Sequence, residues 1–157
     1  MTAEQLWKQS GLSGEYEAWA FTDVPDKLAA LVCEGTKTAT CSSYDVCIAE
    51  NEPIPKAGDY SIILDSKDNA VCIVRTSKIT ICPFKDVTAE HAYKEGEGDR
   101  SLEYWREVHR EFLESELETI NMPFSEEAKV ICEEFELVNI PFSRYMLKSG
   151  SVVQRGK

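Results

Sequence analysis

The chain has 157 residues, 43% of them hydrophobic and 29% charged, with 17 Lys and Arg against 28 Asp and Glu for a formal net charge of −11. That length and mixture describe one globular domain with enough core to need no covalent staple, and they exclude disordered, collagenous and coiled-coil chains. The acidic balance excludes a surface that holds long nucleic acid, duplex DNA included, or anionic membrane through many basic contacts.

From the N-terminus, Thr2 with Gln5 three residues on forms a capping box that opens a short helix, which Gly11 and Gly14 close. Tyr16 to Phe21 is aromatic and reads as a first strand. Asp23 is placed to cap the next helix, with Pro25 in its first turn; Leu28, Leu31 and Val32 share its apolar face, and Gly35 stops it. Thr36 to Val46, rich in Thr and Ser, begins as a strand, and Asn51 to Gly58, with two Pro and a Gly, is a loop. Tyr60–Leu64 and Ala70–Ile81 are β-rich runs separated by turn formers, hence a hairpin.

Pro83 to Asp86 breaks the strand pattern, Thr88 caps a short helix through Tyr93, and Glu95 to Arg100 reads as a charged, Gly-containing loop. Ser101 to about Ile120 carries the clearest helical periodicity, through Leu102, Trp105, Val108, Phe112 and Leu113. Trp105 and His109, four apart, stack on one helix face, as a core Trp beside a half-exposed His or as a base-stacking rim. Val130 to Val138 is a last strand. Helices interrupt these strands without alternating regularly with them. The expected fold is α+β, with a mixed or antiparallel sheet curled into a small partial barrel and flanked by helices.

Residues 1–138 are expected to form a single domain, followed by a basic tail at 139–157 with four basic and no acidic residues. No run approaches the ~20 apolar residues of a membrane span. The polar start at Met1 to Ser10 lacks a signal-peptide core, so the expected compartment is the cytoplasm. Six cysteines occur without a CxxC pair and are expected as free thiols. His91 and His109 have no Cys at zinc-ligand spacing, so no metal site and no cofactor is predicted.

The most informative stretch is Gly35-Thr36-Lys37-Thr38-Ala39-Thr40, between a helix and a strand. It brings a cation, hydroxyls and backbone N–H groups together, but it is no P-loop, which needs two spaced Gly and leads into a helix. In a regular strand Lys37 and Thr40 would face opposite ways, so they converge only if the turn extends through Lys37. The alternative is a helix C-terminus whose Lys complements the dipole.

The segments LVCEGTKTAT, PKAGDYSIIL and EGEGDRSLEYWREVH, in this order, resemble the ASCH domain family, a branch of the PUA-like superfold, from about Trp19 to Val138. The resemblance implies a five- or six-stranded barrel with packed helices and a nucleobase-containing ligand, either a nucleoside or short single-stranded RNA. One branch of that family hydrolyses acetylated cytidine, and other members are ribonucleases. By motif, Lys37 is implied as base or electrostatic anchor, Thr40 as nucleophile and Glu97 as proton shuttle, with Glu95 and Asp99 admitted by the same spacing. Gly35 and Thr38 of the motif join the candidate ligand-binding set, and the residues themselves add Tyr44 as a phenol, Arg100 as a phosphate contact and Trp105 as a stacking ring. Such chemistry is consistent with amide hydrolysis, which needs a nucleophile, a proton acceptor and an oxyanion donor. The alternative is a non-catalytic RNA-binding or regulatory module. The family pattern often has Arg five residues after the Lys, where this chain has Ser42, which weakens RNA-backbone binding more than nucleoside binding.

Overall fold

In the computed structural model the described residues are 1–138, so the basic tail lies outside them. Helix α1 (Ala3–Ser10) carries the expected capping box between Thr2 and Gln5 and ends on Gly11 in the left-handed region. It is followed by β1 (Glu17–Ala20), α2 (Pro25–Glu34), β2 (Ala39–Ser43), α3 (Tyr44–Ala49), β3 (Tyr60–Leu64) and β4 (Ala70–Pro83). A single 3-10 turn at Phe84–Asp86 leads to α4 (Ala89–Glu95), α5 (Leu102–Glu118) and β5 (Lys129–Leu137).

The five strands form one sheet in the order β1-β3-β4-β5-β2, antiparallel except where β1 runs parallel to β3. Strand β4 is 14 residues long. Its first half pairs with β3 and its second with β5, and register shifts interrupt both ladders, near Ile63/Leu64 and between Thr76 and Lys78. Bulges of this kind bend a strand and strengthen its twist, so a single long strand can curl the sheet. The fold is thus the expected α+β arrangement, a curled, mostly antiparallel sheet with flanking helices.

Three apolar clusters fasten the helices to it. Leu6 and Trp7 of α1 pack on Ile62 and Ile73. Ala29 and Val32 of α2 pack on Ile63, Cys72, Val74 and Phe135. Trp105 and Leu113 of α5 and Ala92 of α4 join Cys41, Phe84, Val130 and Cys132. The six cysteines are free; Cys41, Cys47, Cys72 and Cys132 are buried, as small apolar residues are.

Three local expectations change. The N-cap of α2 is Val24, at φ 37° and without a side-chain cap bond, so Asp23 is not the cap; Pro25 sets the first turn instead. The strand that begins after Thr36 stops at Ser43, whose hydroxyl accepts from the Val46 N–H and opens α3, so Tyr44 and Val46 are helical. Helix α4 runs through Glu95, where the charged, Gly-containing sequence leads one to expect a loop.

Candidate functional site

The α2–β2 junction places Lys37. Gly35 is the left-handed cap of α2, at φ 82°. The N–H groups of Thr36 and Lys37 both bond back to the Leu31 carbonyl, so the turn extends through Lys37, and β2 begins only at Ala39. This meets the condition under which Lys37 can leave the strand alternation. Thr38 ties the junction to its surroundings: its N–H donates to the Lys94 carbonyl at 2.7 Å, and its carbonyl accepts from the Phe135 N–H.

Helix α4 and the turn after it supply the partners. Lys37 is 1% exposed, a burial that Lys tolerates only when its charge is matched. Its ammonium donates to Glu97 Oε2 at 2.8 Å and to Glu95 Oε1 and the Glu95 carbonyl, each at 3.3 Å. It also stands 5.3 Å from the Phe21 ring centroid. An ammonium has three hydrogens, and here each has a protein acceptor. The two carboxylates differ in access: the Glu95 side chain is 2% exposed and that of Glu97 20%.

Glu95 is the hub of the cluster. Its Oε2 accepts from the Trp105 indole N–H at 2.6 Å and meets His91 Nε2 at 2.8 Å. Its Oε1 lies 3.3 Å from His109 Nε2 as well as from Lys37. Burial alone would raise this carboxyl, but the bonds to His109 and His91 and the charge of Lys37 outweigh it and hold Glu95 well below the usual carboxylate range. Cys41 lies beside it: burial pushes that thiol well up, and the Glu95 charge adds to the effect. Cys41, Glu95 and His109 bring their donor atoms within 4.8 Å of one another.

The turn from Gly96 to Arg100 closes the site. A Cβ on Gly96 would stand 2.5 Å from the Thr36 oxygen, so only glycine lets this turn approach the Lys37 junction. Arg100 lies 3.6 Å over the Tyr93 ring and donates to the Tyr93 and Thr36 carbonyls. Asp99 accepts from the Ser101 N–H at 2.9 Å and so orders the start of α5.

Thus Lys37, Glu95 and Glu97 meet directly, with Gly35, Thr38 and Arg100 supporting their backbone. Thr40 sits on β2 opposite Glu133, on the other strand face from Cys41. Trp105 is buried, with Phe84 stacked 5.4 Å and His109 stacked 4.2 Å from its ring centroid. Its faces are taken, and its indole N–H serves Glu95. His109 is buried as well, which corrects the half-exposed placement. Tyr44 lies at the start of α3, 5.5 Å from Lys129 Nζ. The sequence reading missed His91 and His109 as partners of Glu95. The signal was available for His91, which stands one helical turn before Glu95 at i, i+4.

Residues 17–139 match the family model of the ASCH domain, and the chain belongs to that family. A crystal structure of an ASCH domain from Lactobacillus crispatus is similar at 26% identity and a TM-score of 0.79, covering 87% of this chain and 95% of that one. A protein of Enterococcus faecalis is similar at 34% identity and a TM-score of 0.79, covering 95% of this chain and 90% of that one. No protein with a curated description matches the chain. Among the described residues no helix is long and apolar enough to cross a membrane.

Proposed function

We propose that this ASCH domain binds a nucleobase-containing ligand, a nucleotide of single-stranded RNA or a free nucleoside, at the mouth of the Lys37 cluster. The observation that carries the reading is the graded pair of carboxylates on one buried ammonium. Glu95 is fixed by Trp105 and the two histidines, whereas Glu97 is the partly exposed partner. A ligand carbonyl or phosphate oxygen that displaces Glu97 gains a charge-assisted hydrogen bond in a low-dielectric setting, and the released carboxylate turns to water at modest cost. The Phe21 ring beside Lys37 adds an apolar face. Residues 1–138 carry 13 basic and 28 acidic residues, so few phosphates can be contacted at once. Binding of a short RNA should therefore weaken with salt at a logarithmic slope of only about −1, the value for one or two phosphates on a single strand.

The experiment is a calorimetric titration with short single-stranded RNA and with nucleosides at several salt concentrations, using the natural chain and Lys37→Ala. Saturable binding lost in the variant supports the reading. Absence of binding to both ligand classes, or binding indifferent to Lys37, refutes it.

A second reading is hydrolysis of acetylated cytidine or RNA, with Thr40 as nucleophile, Lys37 as base and Glu97 as proton shuttle. It is favoured by the 2.8 Å Lys37–Glu97 bond, which joins two of the three groups such a reaction needs. The binding reading is preferred because all three Lys37 hydrogens are already donated and Thr40 stands on the opposite strand face from Cys41. Product analysis after incubation with either substrate separates the two: turnover abolished by Thr40→Ala would establish hydrolysis.

A further inference from the structure

His109 and Glu95 meet in a way that needs a cation between them. The Trp105 carbonyl can only accept, so the 2.9 Å contact fixes the proton of His109 on Nδ1. In the neutral ring, Nε2 then presents a lone pair, and it faces Glu95 Oε1 at 3.3 Å, another acceptor. Two buried lone pairs at that separation repel, so the contact holds either a proton on Nε2, which makes the hydrogen bond described above, or a metal ion in its place.

The surroundings are those of a metal ligand set. A backbone carbonyl holding Nδ1–H is the arrangement that orients metal-binding histidines, and Trp105 and His91 hold the far oxygen of Glu95 in the same manner. Cys41 supplies a third donor, and all three donor atoms lie within 4.8 Å of one another. Donors of a four-coordinate zinc ion, at bonds of about 2.0–2.3 Å, stand about 3.3–3.6 Å apart. The observed Glu95–His109 separation of 3.3 Å is already in that range. The ligands come from β2, α4 and α5, so ion binding would also clamp those elements together.

We propose that Cys41 Sγ, Glu95 Oε1 and His109 Nε2 bind a divalent transition-metal ion of the zinc class. The charges balance: one thiolate and one carboxylate neutralise the ion, the imidazole is neutral, and Lys37 remains paired with Glu97 at 2.8 Å. The Cys41 thiol gives up its proton to solvent as the metal–sulfur bond forms, with no change of oxidation state. A Cys, a His and a carboxylate suit zinc or cobalt rather than magnesium or calcium, which take oxygen donors. The site shares Glu95 with the Lys37 cluster, but the nucleobase ligand is assigned to Lys37 and Glu97, so metal uptake is read separately from nucleobase binding and survives if that reading fails.

The test uses the full reduced chain, stripped with chelator and titrated with Zn2+ by calorimetry and with Co2+ by absorption. One equivalent should bind, and the cobalt form should show a thiolate-to-metal charge-transfer band in the near ultraviolet with intense tetrahedral visible bands. Cys41→Ala should abolish the charge-transfer band and weaken Zn2+ binding at least tenfold, and His109→Gln should weaken it similarly. Cys82→Ala and Cys33→Ser should leave both unchanged. Circular dichroism confirms that each variant is folded, and if His109→Gln unfolds, the small Cys41→Ala change alone decides. No uptake of micromolar Zn2+, uptake indifferent to Cys41, or uptake lost through Cys82 instead would each overturn the assignment and leave a proton between His109 and Glu95.

Discussion

Replacing Lys37 by Met keeps most of the side-chain volume and removes only the ammonium. Two carboxylates lose their cation, but the loss falls unequally. Glu97, with its side chain 20% exposed, can rotate into water, whereas Glu95 at 2% cannot. Breaking a buried pair by removing one partner costs about 3–5 kcal/mol, because the other charge is left uncompensated. Glu95 retains Trp105, His91 and His109 as partners, so the expected cost lies at the lower end, about 3 kcal/mol. For a domain of this size that lowers the unfolding midpoint by about 6–12 °C. Urea unfolding at neutral pH, followed by the fluorescence of buried Trp7 and Trp105, measures it. Adding Glu95→Gln to Lys37→Met should cost less than the sum of the two single changes, by about 1–3 kcal/mol, because the two side chains touch. A single-variant loss within about 0.5 kcal/mol, the range of an ordinary surface change, would refute the reasoning.

Acid unfolding should depend on Glu95. Its folded carboxyl titrates well below 4.5, so the stability it contributes is complete above the unfolded value and is lost as pH falls through the folded one; Glu95→Gln should flatten the acid limb of a stability–pH profile below pH 4.5. Glu133 has the opposite sign. Burial raises its carboxyl, so its ionised form opposes folding at neutral pH, and Glu133→Gln should raise the unfolding midpoint at pH 7 while keeping the 2.5 Å bond accepted from Thr76. Gly96→Ala should cost at least about 1–2 kcal/mol from the left-handed backbone, and more from the 2.5 Å approach to the Thr36 oxygen, as read by thermal denaturation.

What was legible in the sequence was what is encoded locally. The Thr2–Gln5 box, the β3–β4 hairpin and the periodicity of α5 each announce themselves within a short window. Helix α3 does not, because six residues are too few for a period and its only signal is the Ser43 cap inside a strand-like run. The Val24 cap of α2 is likewise set by backbone geometry and not by a side chain. At the site, the Lys37 turn was visible because Gly35 marks it, and the acidic loop was visible as Glu-Gly-Glu-Gly-Asp. That composition reads as solvated, yet Glu95 is buried, because α4 extends two residues further, through Glu95 itself, and points it at Lys37, His91, His109 and Trp105. The convergence of Cys41, Glu95 and His109 from three elements has no signature in spacing at all.

The fold gains little cohesion from this polar cluster. Three apolar clusters already fasten α1, α2, α4 and α5 to the sheet. Apolar residues of matching volume in place of a buried ion pair are often neutral or stabilising, so a buried Lys held by two carboxylates is poorly explained as a device for stability. Buried, strongly shifted titratable groups gather at functional sites, and here they do so beside a glycine-dependent turn and a partly exposed carboxylate. A net charge of −11 is compatible with this, since it acts over the whole surface. The Lys37 ammonium acts over a few ångströms, with Glu97 standing between it and water. Such a site would select a ligand by one or two directed hydrogen bonds and leave long polyanions to be repelled.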